Sequence, residues 1–182
     1  LIMWDRQTHS WWQQATGEGI VGVHAGTVLK PIPAAVISFA DFARSFPAAE
    51  ILTEDTGFSR EYGLNPYDGY DAAGSRPFLF SGTLDKRLDG LERVVALAAG
   101  GDSLAVPFSR LSKAGVANVT VGGARIVVLW SAGTVSALDA AQIEKSRDVG
   151  AAVAYVAESG GRPLRLAVAG PGVFRDDQTG SA

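Results

Sequence analysis

The stretch SREYGLNPYDGY holds the side chains best suited to binding a ligand. Its candidate ligand-binding residues are Arg60, Tyr62, Tyr67, Asp68 and Tyr70. Arginine can donate paired hydrogen bonds to a carboxylate or phosphate, and tyrosine has a flat face with a polar tip. This set could therefore hold a small molecule or a glycan. The same side chains could instead fix a long loop to a β core, with arginine stacked on tyrosine, and we favour this second interpretation.

Two further patterns match catalytic or nucleotide-binding motifs only in part. GDSLA, around Ser103, is half of the G-x-S-x-G elbow of hydrolases. The two histidines, His9 and His24, both precede it, against the α/β-hydrolase order, although a His–Asp–Ser order stays open. We expect Ser103 to cap a short helix. GEGIVG matches the dinucleotide fingerprint, but no helical period follows it, so its glycines indicate bends in strands. From these partial matches we predict no catalytic residue.

Carboxylates in two loops could bind calcium, which takes several oxygen ligands from flexible segments. The pairs are Asp68 with Asp71 and Asp176 with Asp177, and neither lies in an EF-hand pattern. Two histidines without HExxH spacing do not indicate a zinc site. We therefore expect no metal and no cofactor, with calcium as the weaker alternative. As turn residues, these aspartates would accept hydrogen bonds from backbone N–H groups.

Composition limits the partners of this chain. Its 182 residues are 47% apolar and 19% charged, which is typical of a folded globular chain. The net charge is −3 and basic residues form no run, so we expect no binding to nucleic acid. The chain contains no cysteine, which excludes disulfides and thiol chemistry within it. No apolar run reaches the roughly 20 residues of a transmembrane helix, so no transmembrane segment is predicted.

Periodicity predicts a mainly β fold, rich in hairpins, with two or three short helices. ISFADFARSFP predicts a helix with Phe39, Phe42 and Phe46 on one face, Ser38 as its cap and Pro47 beyond its end. DSLAVPFSRLSKAG predicts a second short helix. Apolar runs around Gly-Gly pairs in NVTVGGARIVVLW and AAVAYVAESGGRPLRLAVAG predict two hairpins. An α+β fold is the alternative.

The same phrase occurs near both ends of the chain. DRQTHS begins at Asp5, and DDQTGS begins 171 positions later at Asp176, so the two align without a gap. Four of the six residues are identical, which predicts one strand end and turn used twice. We expect residues 1–182 to be a single β-rich domain that spans one period of a longer two-repeat protein. The predicted repeat-turn residues are Asp5, Thr8 and Ser10 in the first turn, and Asp176, Thr179 and Ser181 in the second.

Tryptophans flank the first of these turns. Trp11 and Trp12 are adjacent, so on a strand they point to opposite faces, and only one can lie in the core of a one-sided sheet. The other packs against a second layer or forms a contact surface, and we favour packing within the repeat. Thr8 and Ser10 are expected to hydrogen-bond Asp5 locally.

Taken together, these phrases resemble a prokaryotic family known as domain of unknown function 3179. The likeness covers most of the chain and lies in WDRQTHSWWQQATGEGIVG, ISFADFARSFP, TGFSREYGLNPYDGY and VGGARIVVLW, and in GRPLRLAVAGPGVFRDDQTGS. The resemblance implies tandem related halves, which agrees with the repeated turn. It also implies a cysteine pair after the VGG hairpin of the first half, where this chain has VVLWSAGTVSALD. An exported or envelope-associated location is a further implication.

The sequence therefore favours a non-catalytic structural or small-ligand-binding module of a larger prokaryotic protein. Its main partner would be the missing repeat half of the same chain. One alternative is the pocket-forming half of a redox enzyme whose cysteine pair lies outside these residues. Another alternative is a glycan-binding module that uses Tyr67, Tyr70 and the tryptophans.

Overall fold

The chain folds into two units built mainly from short antiparallel strands. The computed structural model describes residues 2–32 and 34–182. The first unit ends at residue 34, and the second begins at residue 35. The mainly β class predicted from the sequence, with short helices and several small hairpin sheets, is confirmed.

The first unit is a three-stranded antiparallel sheet. Its strands are β1 (Ile2–Trp4), β2 (Trp11–Gln13) and β3 (Glu18–Val21). Strand β2 lies in the middle, with Trp4 opposite Trp11 and Met3 opposite Trp12. Successive side chains of a strand point to opposite faces, and Trp11 and Trp12 accordingly differ in burial. Trp12 is partly buried, whereas Trp11 is exposed, with 49% of its surface accessible. Only one of the two adjacent tryptophans is therefore covered, as the sequence predicted.

The second unit contains the helices and the larger sheets. In chain order its elements are α1 (Phe39–Ser45), β4 (Val94–Ala99), β5 (Asp102–Pro107), α2 (Phe108–Ala114), β6 (Val116–Val121), β7 (Ala124–Ser131), a 3-10 helix (Ile143–Lys145), β8 (Ala151–Val156), β9 (Glu158–Ser159), β10 (Arg162–Pro163), β11 (Leu166–Gly170) and β12 (Val173–Asp176). One sheet has the order β6-β7-β8, and the pairs β4-β5, β9-β10 and β11-β12 form hairpins. Within residues 2–32 and 34–182, no helix has the length and apolar character needed to cross a membrane.

The core of the second unit lies where β5, α2 and β7 meet. Val106 of β5, Leu111 of α2 and Val128 of β7 form one buried cluster. Partly buried apolar side chains of β4, β6 and β8 pack around it. Burial of apolar surface is the main favourable term in folding, so this cluster holds β5, α2 and β7 together.

Both predicted helices form, but the second begins later than its sequence pattern indicates. The Ser38 hydroxyl caps α1 by accepting the Asp41 N–H at 3.1 Å, as predicted. The prediction that Ser103 caps the second helix is wrong, since Ser103 lies in β5 opposite Ala98. Six cross-strand pairs between β4 and β5 hold this segment extended, and α2 begins only after Pro107.

Both Gly-Gly turns form, but only one joins the strands that the sequence predicted. Gly122 and Gly123 have positive φ angles and connect β6 to β7, as a two-residue hairpin turn requires. The turn at 160–161 connects only the two-residue strands β9 and β10. The longer runs beside it pair elsewhere, β8 with β7 and β11 with β12. The second predicted hairpin therefore forms but is short, because β7 offers β8 a six-residue edge beside the core.

Candidate functional site

The loop predicted to bind a ligand is fixed to the segment around Ala140. The N–H groups of Asn65 and Gly69 donate to the carbonyl oxygens of Ala141 (2.9 Å) and Asp139 (2.6 Å). The Asn65 side chain is buried and donates to the carbonyl oxygen of Ala140 at 3.3 Å. An asparagine and main-chain groups thus hold the loop in place.

The five predicted ligand-binding residues do not meet at one point. The ring centroids of Tyr67 and Tyr70 lie 6.1 Å apart, and the Tyr62 hydroxyl shares a 2.7 Å hydrogen bond with a nearby threonine. Arg60 and Asp68 are exposed, and their side chains make no hydrogen bond in the part of the chain that the structure describes. Tyr70 lines a cavity of about 580 Å³. Ligand binding by this set stays a prediction.

A polar cluster around the carboxylate of Asp71 lies against the same cavity. Ser136, only 1% exposed, donates its hydroxyl to Oδ2 of Asp71. Nη2 of Arg93 lies 3.3 Å from Oδ2, and Nη2 of Arg147 lies 2.9 Å from Oδ1. Arg147 also donates to the Asp71 carbonyl oxygen at 3.0 Å and pairs with Asp139. Separate segments of the chain therefore meet at one carboxylate, whose side chain is 11% exposed.

The pKa of Asp71 is lowered in this environment. Burial, the largest influence, raises the pKa, but the Ser136 hydroxyl and the charges of Arg147 and Arg93 together outweigh it. At neutral pH Asp71 is therefore an ionised group that orients two guanidinium groups.

Core elements and loop contacts place these side chains. Arg93 directly precedes β4, and its guanidinium carbon lies 5.9 Å from the ring centroid of Phe108 at the start of α2. The Phe108 N–H donates to the Arg93 carbonyl oxygen at 2.8 Å. The Ser136 N–H donates to the Arg147 carbonyl oxygen at 3.0 Å, so these two loop segments are joined directly. Phe108 and Trp130 line the cavity with apolar surface.

Sequence reasoning missed this cluster. The sequence indicates Asp71 only as a calcium ligand or as a turn residue, and no motif singles out Arg93, Ser136 or Arg147. These three lie 22, 65 and 76 positions from Asp71 along the chain, so no local spacing connects them. Pairing of the loop at 63–69 with the segment 139–143 brings Asp71 beside Ser136 and Arg147. The segment of Arg93 is joined to that of Asp71 by the Leu91 N–H, which donates to the Ala73 carbonyl oxygen at 3.2 Å.

The first repeated phrase forms a closed turn after β1. The N–H and the hydroxyl of Thr8 both donate to the Asp5 carboxylate, at 2.6 Å and 2.7 Å. The Thr8 hydroxyl also lies 2.9 Å from the Ser10 hydroxyl, and the Asp5 N–H donates to the Ser10 carbonyl oxygen at 3.1 Å. The Trp12 indole N–H donates to Asp5 at 2.9 Å, which ties the turn to β2.

The second repeated phrase forms the same contacts after β12. The N–H and the hydroxyl of Thr179 donate to the Asp176 carboxylate, at 2.9 Å and 2.8 Å. The Thr179 and Ser181 hydroxyls lie 2.7 Å apart, and the Asp176 N–H donates to the Ser181 carbonyl oxygen at 2.8 Å. All four contacts have their counterpart in the first turn, residue for residue.

The two turns also share a residue with left-handed backbone. His9 has a φ of 53° and Gly180 a φ of 71°, and each directly precedes the serine of its turn. Residues other than glycine seldom adopt a positive φ, so the turn itself imposes this conformation at His9. Glycine meets the same requirement at the second turn without strain.

Comparison with known proteins assigns the chain to a family. The family model described as "Protein of unknown function (DUF3179)" matches residues 1–182. The chain belongs to this family. No curated protein and no solved structure matches it. The family resemblance of the sequence phrases is thus confirmed, while a prokaryotic origin stays an expectation.

In the DUF3179 chain, three of the four aspartates considered for calcium are engaged by protein groups. Asp176 accepts the Arg165 N–H at 3.0 Å, and Asp177 lies 3.7 Å from Nε of Arg165. Asp71 is held by the serine and the two arginines of its cluster. Among the residues that the structure describes, no three His, Cys, Asp or Glu side chains group together as metal ligands. Calcium binding stays an expectation from the sequence.

Acid should destabilise the first unit of the DUF3179 chain through Asp5. Its pKa is lowered to about 2, chiefly by hydrogen bonds from Thr8 and Trp12. A carboxyl group whose pKa falls on folding stabilises the fold above its unfolded pKa of about 3.9, and this stability is lost as the pH falls towards the folded value. We therefore expect the free energy of unfolding to fall between about pH 4 and about pH 2. The free energy of unfolding is measured across this range, and an NMR titration of the Asp5 carboxyl carbon is recorded alongside it.

Two threonine variants serve as the matched pair for this titration. Thr8→Val removes the hydroxyl that donates to Asp5 and should move the titration midpoint back towards the ordinary pKa of aspartate. Thr120→Val, at an exposed position of β6, should leave the Asp5 midpoint unchanged. A midpoint near 4 in the unmodified chain would contradict the prediction.

Proposed function

We propose that this DUF3179 chain is a non-catalytic structural module that forms one period of a longer tandem-repeat protein. The observation that carries the proposal is the pair of turns beginning at Asp5 and Asp176. Each turn joins its aspartate, threonine and serine through the same four contacts. In each, the residue before the serine has a positive φ. A chance match of four residues would not require this shared geometry.

The strands beside the two turns support a second module as the partner. Strand β1 enters the first turn and pairs with β2, which follows that turn. Strand β12 enters the second turn and pairs with β11, which precedes β12. If both turns mark the same point of a repeat, β12 would accept a strand like β2 on its other edge, and β1 a strand like β11. Open strand edges readily add a strand, so the missing repeat half would complete both sheets.

Three carboxylates of this chain fit a structural role. Asp5, Asp71 and Asp176 each accept hydrogen bonds from neighbouring protein groups, and the pKa of each is lowered. A general acid or base works best with a pKa near the working pH, so these carboxylates are poorly suited to proton transfer at neutral pH. They instead hold turns and loops in place.

The intact mass of the full-length native protein tests this proposal. We expect at least twice the 19.0 kDa of this chain, and limited proteolysis should release stable pieces near the mass of one period. Reduction and alkylation before the measurement separate the structural role from the redox alternative. An unchanged mass supports a structural module, whereas two added alkyl groups would favour the pocket-forming half of a redox enzyme. A native mass close to 19.0 kDa would overturn the repeat.

A further inference from the structure

We propose that the cavity beside Asp71 binds a small zwitterion of the α-amino-acid type that carries an apolar side chain. In this proposal Arg93 binds the carboxylate of the ligand and Glu92 binds its ammonium group. The cavity measures about 580 Å³ and is lined only by residues of the second unit. Cavities of a few hundred Å³ suit small organic molecules. The proposal does not depend on the tandem repeat.

Arg93 is held in place while several of its donors remain available. Its Nη2 lies 3.3 Å from Oδ2 of Asp71 and 3.5 Å from Oγ of Ser136, and its planar group lies beside Phe108. The N–H groups on Nε and Nη1 have no acceptor among the residues that the structure describes. The side chain is 40% exposed and lines the cavity. A guanidinium already oriented by the protein loses little conformational freedom when it binds a carboxylate.

Glu92 offers an acceptor beside this donor. One carboxylate oxygen, Oε1, accepts the Ser109 N–H at 3.0 Å, which fixes the side chain against the start of α2. The other oxygen, Oε2, has no hydrogen-bond donor within residues 2–32 and 34–182. Glu92 lines the cavity together with Arg93. Adjacent residues thus present a cationic donor and an anionic acceptor to the same space.

The charges around the cavity favour a ligand that carries both signs. The cavity lining contains two positively charged residues, Arg93 and Arg147. It also contains three negatively charged residues, Asp71, Glu92 and Asp148. A phosphate or dicarboxylate would meet an excess of negative charge, and a simple cation would meet two guanidinium groups. Like charges brought together in a site weaken binding. A zwitterion adds no net charge and gives each of its groups an opposite partner.

Apolar walls complete the cavity and indicate the rest of the ligand. Phe108, Trp130 and Leu138 line it. The indole N–H of Trp130 donates to the Val149 carbonyl oxygen at 3.3 Å, so its polar edge is satisfied and its ring is held. Tyr70, from the loop that the sequence marked for ligand binding, lies in the same lining. An aromatic or branched aliphatic side chain would bury its surface here.

L-Phenylalanine is the probe, and two of its relatives are the controls. 3-Phenylpropionate keeps the ring and the carboxylate, and phenethylamine keeps the ring and the ammonium group. Each is titrated into ¹⁵N-labelled protein while the Nε–H of Arg93 and the indole N–H of Trp130 are followed by NMR. We expect saturable shifts of both signals with phenylalanine, and an affinity at least about tenfold higher than that of either relative. This comparison uses the unmodified chain, so it does not rely on any variant folding.

Two variants test the separate roles of the charged residues. Arg93→Gln should weaken phenylalanine binding about tenfold and leave phenethylamine binding unchanged. Glu92→Gln keeps the oxygen that accepts the Ser109 N–H, and should weaken phenylalanine binding while leaving 3-phenylpropionate binding unchanged. Arg165→Gln, on an exposed arginine paired with Asp177, is the matched control and should change nothing.

Three results would overturn the proposal. The first is the absence of any saturable shift at the highest soluble concentration of phenylalanine. The second is equal affinity for all three ligands, which would show a cavity that selects only the ring. The third is an unchanged phenylalanine affinity in Arg93→Gln.

Discussion

Leu111→Ala is expected to lower the free energy of unfolding of the second unit by about 2–5 kcal/mol. Leu111 is 1% exposed and lies in the cluster that joins α2 to Val106 of β5 and Val128 of β7. The substitution leaves a cavity among closely packed elements, and these cannot close it without moving relative to one another. Urea denaturation followed by far-ultraviolet circular dichroism measures the loss.

Leu52→Ala is the matched control for this core substitution. Leu52 is 90% exposed, so the same change of side chain removes almost no buried surface there. Its effect on the free energy of unfolding should stay within about 0.5 kcal/mol. Equal losses in the two variants would show that Leu111 does not hold the elements of the second unit together.

Gly150→Ala is expected to destabilise the second unit by about 2–4 kcal/mol. Gly150 has a φ of 71°, a conformation that strains alanine, and a methyl group there would overlap the indole ring of Trp130. Trp130 would have to leave its position, where its indole N–H donates to the Val149 carbonyl oxygen. Denaturation measures the loss of stability, and the NMR signal of the Trp130 indole N–H reports the movement of the ring.

Gly161→Ala separates the two causes of this loss. Gly161 has a similar φ of 76°, but no atom lies within 4 Å of the position that its methyl group would take. We expect a loss of only about 1–2 kcal/mol, from backbone strain alone, and an unchanged Trp130 signal. The difference between the two variants then measures the contact with Trp130. A Gly150→Ala variant no less stable than Gly161→Ala would contradict this contact.

Local chemistry made several elements of this DUF3179 chain predictable. The helix after Ser38 was predicted from a capping hydroxyl and from phenylalanines at a helical period. The turn at Gly122 and Gly123 needed two residues that tolerate positive φ between alternating runs. In each case the decisive contacts join residues a few positions apart, so the residue types along the chain contain the necessary information.

Strand partners were predictable only where a tight turn joined them directly. The segment around Ser103 has residues suited to a helix start, but it pairs along its whole length with β4. The runs beside the turn at 160–161 have hairpin character, but β8 adds to the edge of β7 beside the core. Alternation shows that a run forms a strand, whereas the choice among several edges depends on which pairing buries more of the whole unit.

The candidate site was likewise predictable from the sequence only where its contacts are local. The hydrogen bonds that join the Thr8 side chain to Asp5 and to Ser10 follow from short spacing, and local hydrogen bonding in this turn was expected from the sequence. The grouping of Arg93 and Arg147 around one carboxylate has no local signature. It forms because three segments far apart in the chain are joined by main-chain hydrogen bonds.

The sequence by itself determined the mainly β class, both short helices, the family and the turn that occurs twice. All of these depend on composition, on period or on contacts within a few residues. Only the tertiary structure decided which strands pair, that Ser103 lies in a strand, and that Arg93, Ser136 and Arg147 meet at Asp71. These depend on contacts between residues far apart in the chain, and folding selects them by the surface that they bury and the polar groups that they satisfy together.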